Sequence, residues 1–441
     1  NIVFFYIGLD VQTKLGIDPM RALERLQRSG VHMITVGDTD EVDIDWPDYS
    51  PTLRVGAITK RDAVTEQGMH DLITKALESG LPLEYKTELE QIIFRFENIW
   101  RITQGFDAPA DVEPMVITLQ PGARPRRCAL RRYNELERKF MHDHLQMLVQ
   151  AGLVYKNNNS AWASAAMPVK KSNGDYRLCV DLRAVNALTV PSAWPMPNLE
   201  VAMQSLRGMR FFAVIDLWQG YWQFPLAEGS RETQSIMTHE GVYTPMRIIQ
   251  GSTNSVNNFQ SNMQAVLGDN LYTICLLWVD DILVYARTIR ELLHNLERIF
   301  KALEARKIKC SLPKCKLFQT SATWCGRVIS ANGITPDPEK INALVNLQRP
   351  ETAGDLQQFL CAMNWLRMSL PNFVRVAAPL GNLLEKSLAH TQSRKSSQAK
   401  KISLTQMGWQ SEHDRAFDQC KTLLMNAVTL AFPDPDKIIL S

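Results

Sequence analysis

No run of 18 apolar residues occurs in the 441-residue chain, and its most apolar stretch is interrupted by Asp280 and Asp281. A membrane-spanning helix is therefore not expected. The eight cysteines (Cys128, Cys179, Cys275, Cys310, Cys315, Cys325, Cys361 and Cys420) show no C-x-x-C spacing. That argues against zinc and against a disulfide framework, and favours buried free thiols in a reducing compartment. Neither sign of charge dominates: 49 Lys and Arg against 46 Asp and Glu leave +3, too little to indicate nucleic acid without local clustering. There is no starting Met, and Asn1-Ile2-Val3-Phe4-Phe5-Tyr6 has neither a basic leader nor a small-residue cleavage site. The expectation is a piece of something longer, without a signal peptide. With 45% apolar and 22% charged residues, the composition is that of a soluble globular chain of roughly two to four domains.

What is present centres on Leu276-Leu277-Trp278-Val279-Asp280-Asp281-Ile282-Leu283-Val284-Tyr285. Each apolar run suits a buried strand and is too short for a helix, so the acidic pair falls at a tight hairpin turn. Two adjacent carboxylates repel one another unless a cation lies between them. A solvated turn is the rival reading, but such turns usually bring Gly or Asn and polar flanks, which are missing here. Phe211-Phe212-Ala213-Val214-Ile215 reads as another buried strand, with Asp216 at its end. A strand-end Asp and a hairpin Asp pair can converge on two cations, activating a hydroxyl and neutralising a departing pyrophosphate.

With these residues the sequence resembles the reverse transcriptases in the pol polyproteins of Gypsy-class (Metaviridae-like) long-terminal-repeat retrotransposons, over most of the chain. Further blocks carry the likeness: Met167-Pro168-Val169-Lys170-Lys171-Ser172-Asn173-Gly174-Asp175-Tyr176-Arg177, Val180-Asp181-Leu182-Arg183-Ala184-Val185-Asn186, and Thr323-Trp324-Cys325-Gly326-Arg327-Val328-Ile329. Asn173-Gly174 suits a hairpin turn with Lys170, Lys171 and Arg177 near its tip, and a basic hairpin can close over a triphosphate. A basic tip can equally be plain soluble surface. By resemblance, one of the lysines grips the γ-phosphate, and ungapped counting favours Lys170. Tyr221, five positions after Asp216, stands at the family's steric gate against ribonucleotides; core packing is the other fate of such a ring. Gln250-Gly251 resembles the retroviral form of the sugar contact, where Gly lets backbone approach the nucleotide. Two departures stand out: Trp278 where the family has Tyr, and Val256 where it has Pro. Trp324, Cys325 and Gly326 resemble the primer grip. The run Arg124, Arg126, Arg127, Arg131, Arg132, Arg138 and Lys139 is dense enough to contact phosphates, with Arg124, Arg126 and Arg127 the first candidates, or to be a solvated face.

The implied fold is α+β: a right-hand polymerase with fingers, a palm of antiparallel sheet packed on helices, and a thumb, flanked by partial domains. Residues 1–37 resemble the C-terminal remnant of a retropepsin-like aspartic protease, but its catalytic Asp-Thr-Gly is missing and Gly37-Asp38-Thr39-Asp40 does not replace it. Residues 38–110 read as a linker and helical connector, 111–204 as the first part of the fingers, and 205–334 as palm with the remaining fingers segment and primer grip. Residues 335–386 read as thumb and connection, with a capping box at Thr352-Ala353-Gly354-Asp355. The Ser/Lys/Gln/Thr-rich 387–405 reads as a flexible insertion. Residues 406–441 resemble the start of a ribonuclease H-like domain, ending before its first catalytic Asp. Neither protease nor ribonuclease H activity is expected.

The resemblance implies an RNA-directed DNA polymerase in which Asp216, Asp280 and, less directly, Asp281 hold two Mg²⁺ ions, with Mn²⁺ as substitute. Its partners would be dNTPs and a primed RNA or DNA template, bound mainly through backbone phosphates and hence without sequence preference. It would act inside the cell, in a cytoplasmic virus-like particle or the nucleus, away from membranes. Two alternatives stay open: a metal-dependent nuclease, which needs neither gate nor triphosphate hairpin, and a decayed relic that binds nucleic acid without polymerising.

Overall fold

The structure, a computed structural model, describes residues 63–430 apart from 104, 171–173, 175, 392–395 and 428–429. The protease-like segment 1–37 and the acidic part of the connector lie outside the described residues. The chain forms two compact units, one within residues 48–322 and the other from Thr323 onward.

In chain order the strands of the first unit are β1 (Trp100–Arg101), β2 (Val154–Lys156), β3 (Ser164–Lys170), β4 (Tyr176–Val180), β5 (Phe211–Asp216), β6 (Ile236–Thr238), β7 (Gly241–Pro245), β8 (Cys275–Trp278), β9 (Asp281–Ala286), β10 (Cys310–Ser311) and β11 (Lys316–Gln319). The helices that bear on the site are α1 (Ala63–Glu78), α2 (Lys86–Arg95), α3 (Glu135–Gln150), α4 (Gly220–Gln223), α5 (Ser255–Leu267) and α6 (Ile289–Ala305). A five-stranded sheet runs β2-β7-β6-β3-β4, and a four-stranded sheet runs β11-β5-β9-β8. The second sheet is antiparallel throughout. Its inner strands are buried apolar runs with helices packed against them.

Helix α6 shows why. Leu292, Leu293, Leu296, Ile299, Phe300 and Leu303 are all buried along one face, while Arg290, His294 and Lys301 lie exposed on the other. Each such buried side chain contributes about 1.5–3 kcal/mol. The helix starts at Thr288, whose hydroxyl accepts a hydrogen bond from the Glu291 N–H, satisfying one of the free donors of the first turn. Helix α3 opens on a capping box between Asn134 and Glu137. Leu145 and Leu148 of this helix are buried, while Leu136 is exposed.

Four expected assignments change among the described residues. Helices α1 and α2 are no connector: Met69, Leu72, Leu89, Ile92 and Ile93 share one core with Ala213, Ile215, Phe300 and Phe318 of the palm. The primer-grip residues belong to the second unit, not to the palm's. That unit has strands β12 (Ser321–Trp324, beginning at the junction), β13 (Arg327–Ser330) and β14 (Gly333–Pro336), then helices α7 (Pro338–Val345), α8 (Ala353–Trp365), α9 (Phe373–Thr391) and α10 (Ser411–Met425). The predicted capping box opens α8, with Thr352 and Asp355 exchanging hydrogen bonds. The supposed flexible insertion 387–405 is tied in: Leu388, Ala399, Ile402 and Leu404 are buried in the core that Leu356, Phe359, Leu380 and Phe417 build. A few apolar anchors outweigh a polar composition. Phe417, Cys420 and Leu424 of α10 join the same core, so residues 411–424 pack as part of this unit rather than as a separate stub.

Six of the eight cysteines are buried and all eight are free, as expected. Among the described residues no helix is long and apolar enough to cross a membrane.

Candidate active site

Strand β5 delivers Asp216 to the end of the palm sheet, and the antiparallel register sets it directly opposite Asp281, the first residue of β9. Residues opposed in this way carry their side chains on one face. Trp278 of β8 also pairs with Asp281, which leaves Val279 and Asp280 as a two-residue turn. Val279 has φ +53°. Left-handed backbone is natural for glycine; a β-branched residue held there costs on the order of 1–3 kcal/mol. The surroundings hold it: the Val279 N–H donates to Oε1 of Gln260 at 2.8 Å, and Gln260 is fully buried on α5. The Leu217 N–H points at the Asp280 carbonyl, 3.4 Å away. Replacing Gln260 with Leu leaves the turn amide without its acceptor. The expected loss is about 1–2 kcal/mol, read as a lower urea midpoint.

The electrostatics single out Asp216. Its Oδ2 lies 3.6 Å from the Lys314 ammonium, while its Oδ1 is buried with no hydrogen-bond partner. Burial pushes the carboxyl up to about 6; Lys314 pulls it down and the Asp280 carboxylate pushes it up again. A buried carboxylate oxygen with no donor, beside a second carboxylate, is a site that a hard cation would relieve. The donor set is all oxygen, which fits Mg²⁺ or Mn²⁺. Among the described residues, however, no three His, Cys, Asp or Glu side chains sit close enough to hold a metal ion together. The register brings Asp216, Asp280 and Asp281 to one end of the sheet without closing them into a three-ligand cluster. One of them is in the turn and the others are on strands. Mg²⁺ sites of this kind commonly use one or two carboxylates and take their remaining ligands from water and substrate phosphates.

Helix α4 follows Asp216 closely. A Cβ on Gly220 would meet the Phe259 ring at 3.1 Å and Cβ of Asp280 at ordinary contact distance, 3.5 Å, so a side chain here would have to push the Phe259 ring aside. Tyr221 is 6% exposed, with its ring centroid 5.0 Å from that of Phe259; it is a core residue in addition to any role at the sugar. The Gln250-Gly251 loop turns at Gly251 with φ +94°. Asn186 braces it, donating to the Gly251 carbonyl at 2.8 Å and accepting from the Thr253 N–H at 3.0 Å. Asn254 does the same for the neighbouring segment through Val190 and Ser192. Helix α5 starts at Ser255 without a proline at 256. Nothing in the sequence marked Asn186 as a brace, because its partners are over sixty residues away.

The fingers hairpin is formed by β3 and β4, with Lys170 and Arg177 near its tip. Lys170 pairs with Tyr176 and Val169 with Arg177, so by strand alternation Lys170 and Arg177 leave the ladder on opposite faces. Lys170 shares its face with Tyr176, whose ring lies 5.6 Å from Phe140 of α3. Arg177 lies by the Cys179 thiol. Lys171 is outside the described residues. The pair is on one hairpin but not on one face.

Of the basic run, Arg127 is occupied: its Nη1 donates to the Ser160 carbonyl at 2.7 Å and to that of Asn158 at 3.2 Å. Arg126 lines a half-open groove of about 710 Å³ together with Arg131, Arg183 and Asp181, and Arg124 is exposed nearby. Asp181 takes a forked pair of 2.8 Å bonds from Arg183 and one of 3.0 Å from Arg131. The Arg183 hydrogen bond holds its carboxyl below the usual range. Arg183 and Asp181 belong to a stretch that carries the family likeness, but only the fold sets them against the arginine run. In the second unit, Cys325 and Gly326 have φ +48° and +69°, the pattern of a type I′ turn between β12 and β13, and Trp324 is 2% exposed. The expected hairpin is present.

Residues 169–329 match the family described as reverse transcriptase (RNA-dependent DNA polymerase). The chain is 26% identical over 301 residues to the retrovirus-related Pol polyprotein from transposon 297 of Drosophila melanogaster, covering 67% of this chain and 27% of that protein. To the Pol polyprotein from transposon gypsy of the same organism it is 26% identical over 302 residues, covering 67% and 28%. To that of transposon 412 it is 22% identical over 434 residues, 97% of this chain and 33% of that protein. The chain thus spans about a quarter to a third of these relatives' length. Among solved structures, the foamy viral protease-reverse transcriptase in complex with double-stranded DNA superposes with a TM-score of 0.71 at 23% identity, over 88% of this chain and 64% of that one. The same enzyme with an RNA/DNA hybrid gives 0.70 at 24% identity, over 87% and 49%. The fold is that of an α+β polymerase.

Proposed function

We propose that this chain, which carries a reverse transcriptase domain of the LTR-retrotransposon Pol kind and so stands among the nucleotidyltransferases, is an RNA-directed DNA polymerase that extends a primer with dNTPs. The observation that carries the reading is Asp216, set opposite Asp281 by register, beside the Asp280 charge, with one buried oxygen unpartnered. Two Mg²⁺ ions, or Mn²⁺ in their place, held by Asp216 and Asp280 with Asp281 alongside, would lower the pKa of the primer 3′-hydroxyl and stabilise in-line displacement at the α-phosphate. The chain's own residues do the rest. The Gln260-braced turn holds Asp280 near enough to the end of β5 for its charge to act on Asp216. Tyr221 walls the sugar subsite, and Asn186 holds the loop that offers Gln250 and the Gly251 backbone to the nucleotide. Lys170, with Lys171 beyond it, neutralises the triphosphate from the fingers.

The solved foamy viral relatives are complexes with duplex DNA and with an RNA/DNA hybrid, which favours a primed template as partner. The arginine groove suits its phosphates. Arg126→Ala should weaken duplex binding evenly across sequences and lower the slope of log K against log salt by about 1. Arg127→Ala, which frees two backbone carbonyls, should instead lower stability. Filter binding at several salt concentrations beside a urea melt separates the two effects.

The direct test is primer extension on poly(rA)/oligo(dT) with Mg²⁺ and dTTP, beside Asp280→Asn. Extension that vanishes in the variant supports the reading. A folded protein that binds the duplex but extends nothing on RNA or DNA templates would be the decayed relic. That second reading is favoured by Trp278 and Val256.

A further inference from the structure

Asp216 lies between two groups of opposite charge. On the β9 side it faces Asp281. On the other side Lys316 of β11 pairs with Val214, and Lys314 lies in the turn that leads into β11. The side chains meet: Nζ lies 3.6 Å from Oδ2. We infer that Lys314 is the resident counter-cation of the metal-free site and competes with the incoming divalent ion for Asp216, so that it sets how much metal the site needs. The inference rests on the polymerase reading and adds a residue that reading does not use.

Three features support it. Asp216 is mostly buried while the Lys314 side chain is 39% exposed, so the lysine can swing to solvent when an ion arrives. Its backbone cannot follow: the next residue, Cys315, is buried and its thiol donates to the Asp216 carbonyl at 3.7 Å. The lysine is thus a movable charge on a fixed stem. Finally, Asp216 directs one oxygen at the lysine and keeps the other unpartnered, which leaves the carboxylate half-satisfied by protein alone. A +1 charge close to the site repels a divalent ion, so removing it should tighten metal binding. A lysine that merely supported the fold would weaken binding when removed.

The test is Mn²⁺ binding to the intact chain without nucleotide, followed by the electron paramagnetic resonance of free Mn²⁺ and by the Mn²⁺-induced rise in melting temperature. Lys314→Met and Lys314→Gln should bind about tenfold more tightly than wild type, and Lys314→Arg within about twofold. Equal or weaker binding by whichever of the two neutral variants folds would overturn the inference. An Asp216→Asn control distinguishes the two failures. If wild type and both neutral variants bind no more Mn²⁺ than this control, the metal-site reading falls and takes the inference with it. If wild type binds but charge removal changes nothing, only the lysine's role is lost.

Discussion

Asp216→Asn should abolish primer extension and yet make the metal-free protein more stable at neutral pH. The first effect follows from losing the carboxylate at the end of β5 and should be at least about 10²–10³-fold. The second follows from burial. The folded carboxyl is raised to about 6 from an ordinary 3.8, so between those values the folded state holds a proton that the unfolded chain has released. Stability from this group is therefore full below pH 3.8, declines as pH rises to 6 and stays low above it, a penalty of about 3 kcal/mol at pH 7.5. The asparagine variant cannot ionise and escapes that penalty. Urea midpoints in EDTA should be higher than wild type at pH 7.5 and similar near pH 4. A variant less stable than wild type at both pH values would show that the Lys314 pair more than offsets the burial cost. Saturating Mg²⁺ should erase the wild-type disadvantage.

Tyr221→Val carries the next largest effect, and it is double. If the ring walls the sugar subsite, discrimination against ribonucleotides should fall by about 10–200-fold, the range over which small changes in pocket volume act. Because the ring is also buried against Phe259, the same change should lower stability by about 2–4 kcal/mol. Tyr221→Phe keeps the volume and should preserve discrimination at little cost. Single-turnover kcat/KM ratios for dTTP and UTP, with a denaturation curve on each variant, decide the matter. Unchanged discrimination with lost stability would leave Tyr221 as a core residue alone.

The palm was legible where chemistry sits at the ends of apolar runs. Phe211–Ile215 before Asp216, and the two runs around Asp280 and Asp281, have few alternatives to strands meeting at a turn. The capping box at Thr352 was legible for the same reason: it depends on neighbours in sequence. What depends on partners far along the chain was not. Lys314 looked like one of several lysines around Cys315 until β11 paired with β5. Lys170 and Arg177 could be set near one hairpin tip, but that they leave it on opposite faces depends on the register of β3 and β4. Helices α1 and α2 showed their apolar periodicity without naming the palm as the surface it covers, and the polar tract around Ala399 and Ile402 concealed two anchors among its serines and lysines.

The buried palm strands have a consequence for how the molecule finds its form. From Ile282 to Ala286 every side chain of β9 is buried, on both faces. Alternation therefore cannot tell this strand which way up to sit, and a slip of one residue would be almost invisible to the apolar interior. Its tip marks the correct alignment through the two-residue turn and the Gln260 clasp on Val279, and its far end does so through the Tyr285 hydroxyl on Ser205 and the Asn295 amide on the Tyr285 carbonyl. The segment that would handle the nucleotide is thus also an alignment mark by which the sheet is assembled. Drift at this tip would damage folding and copying together, so intermediate degrees of function should be rare among its variants.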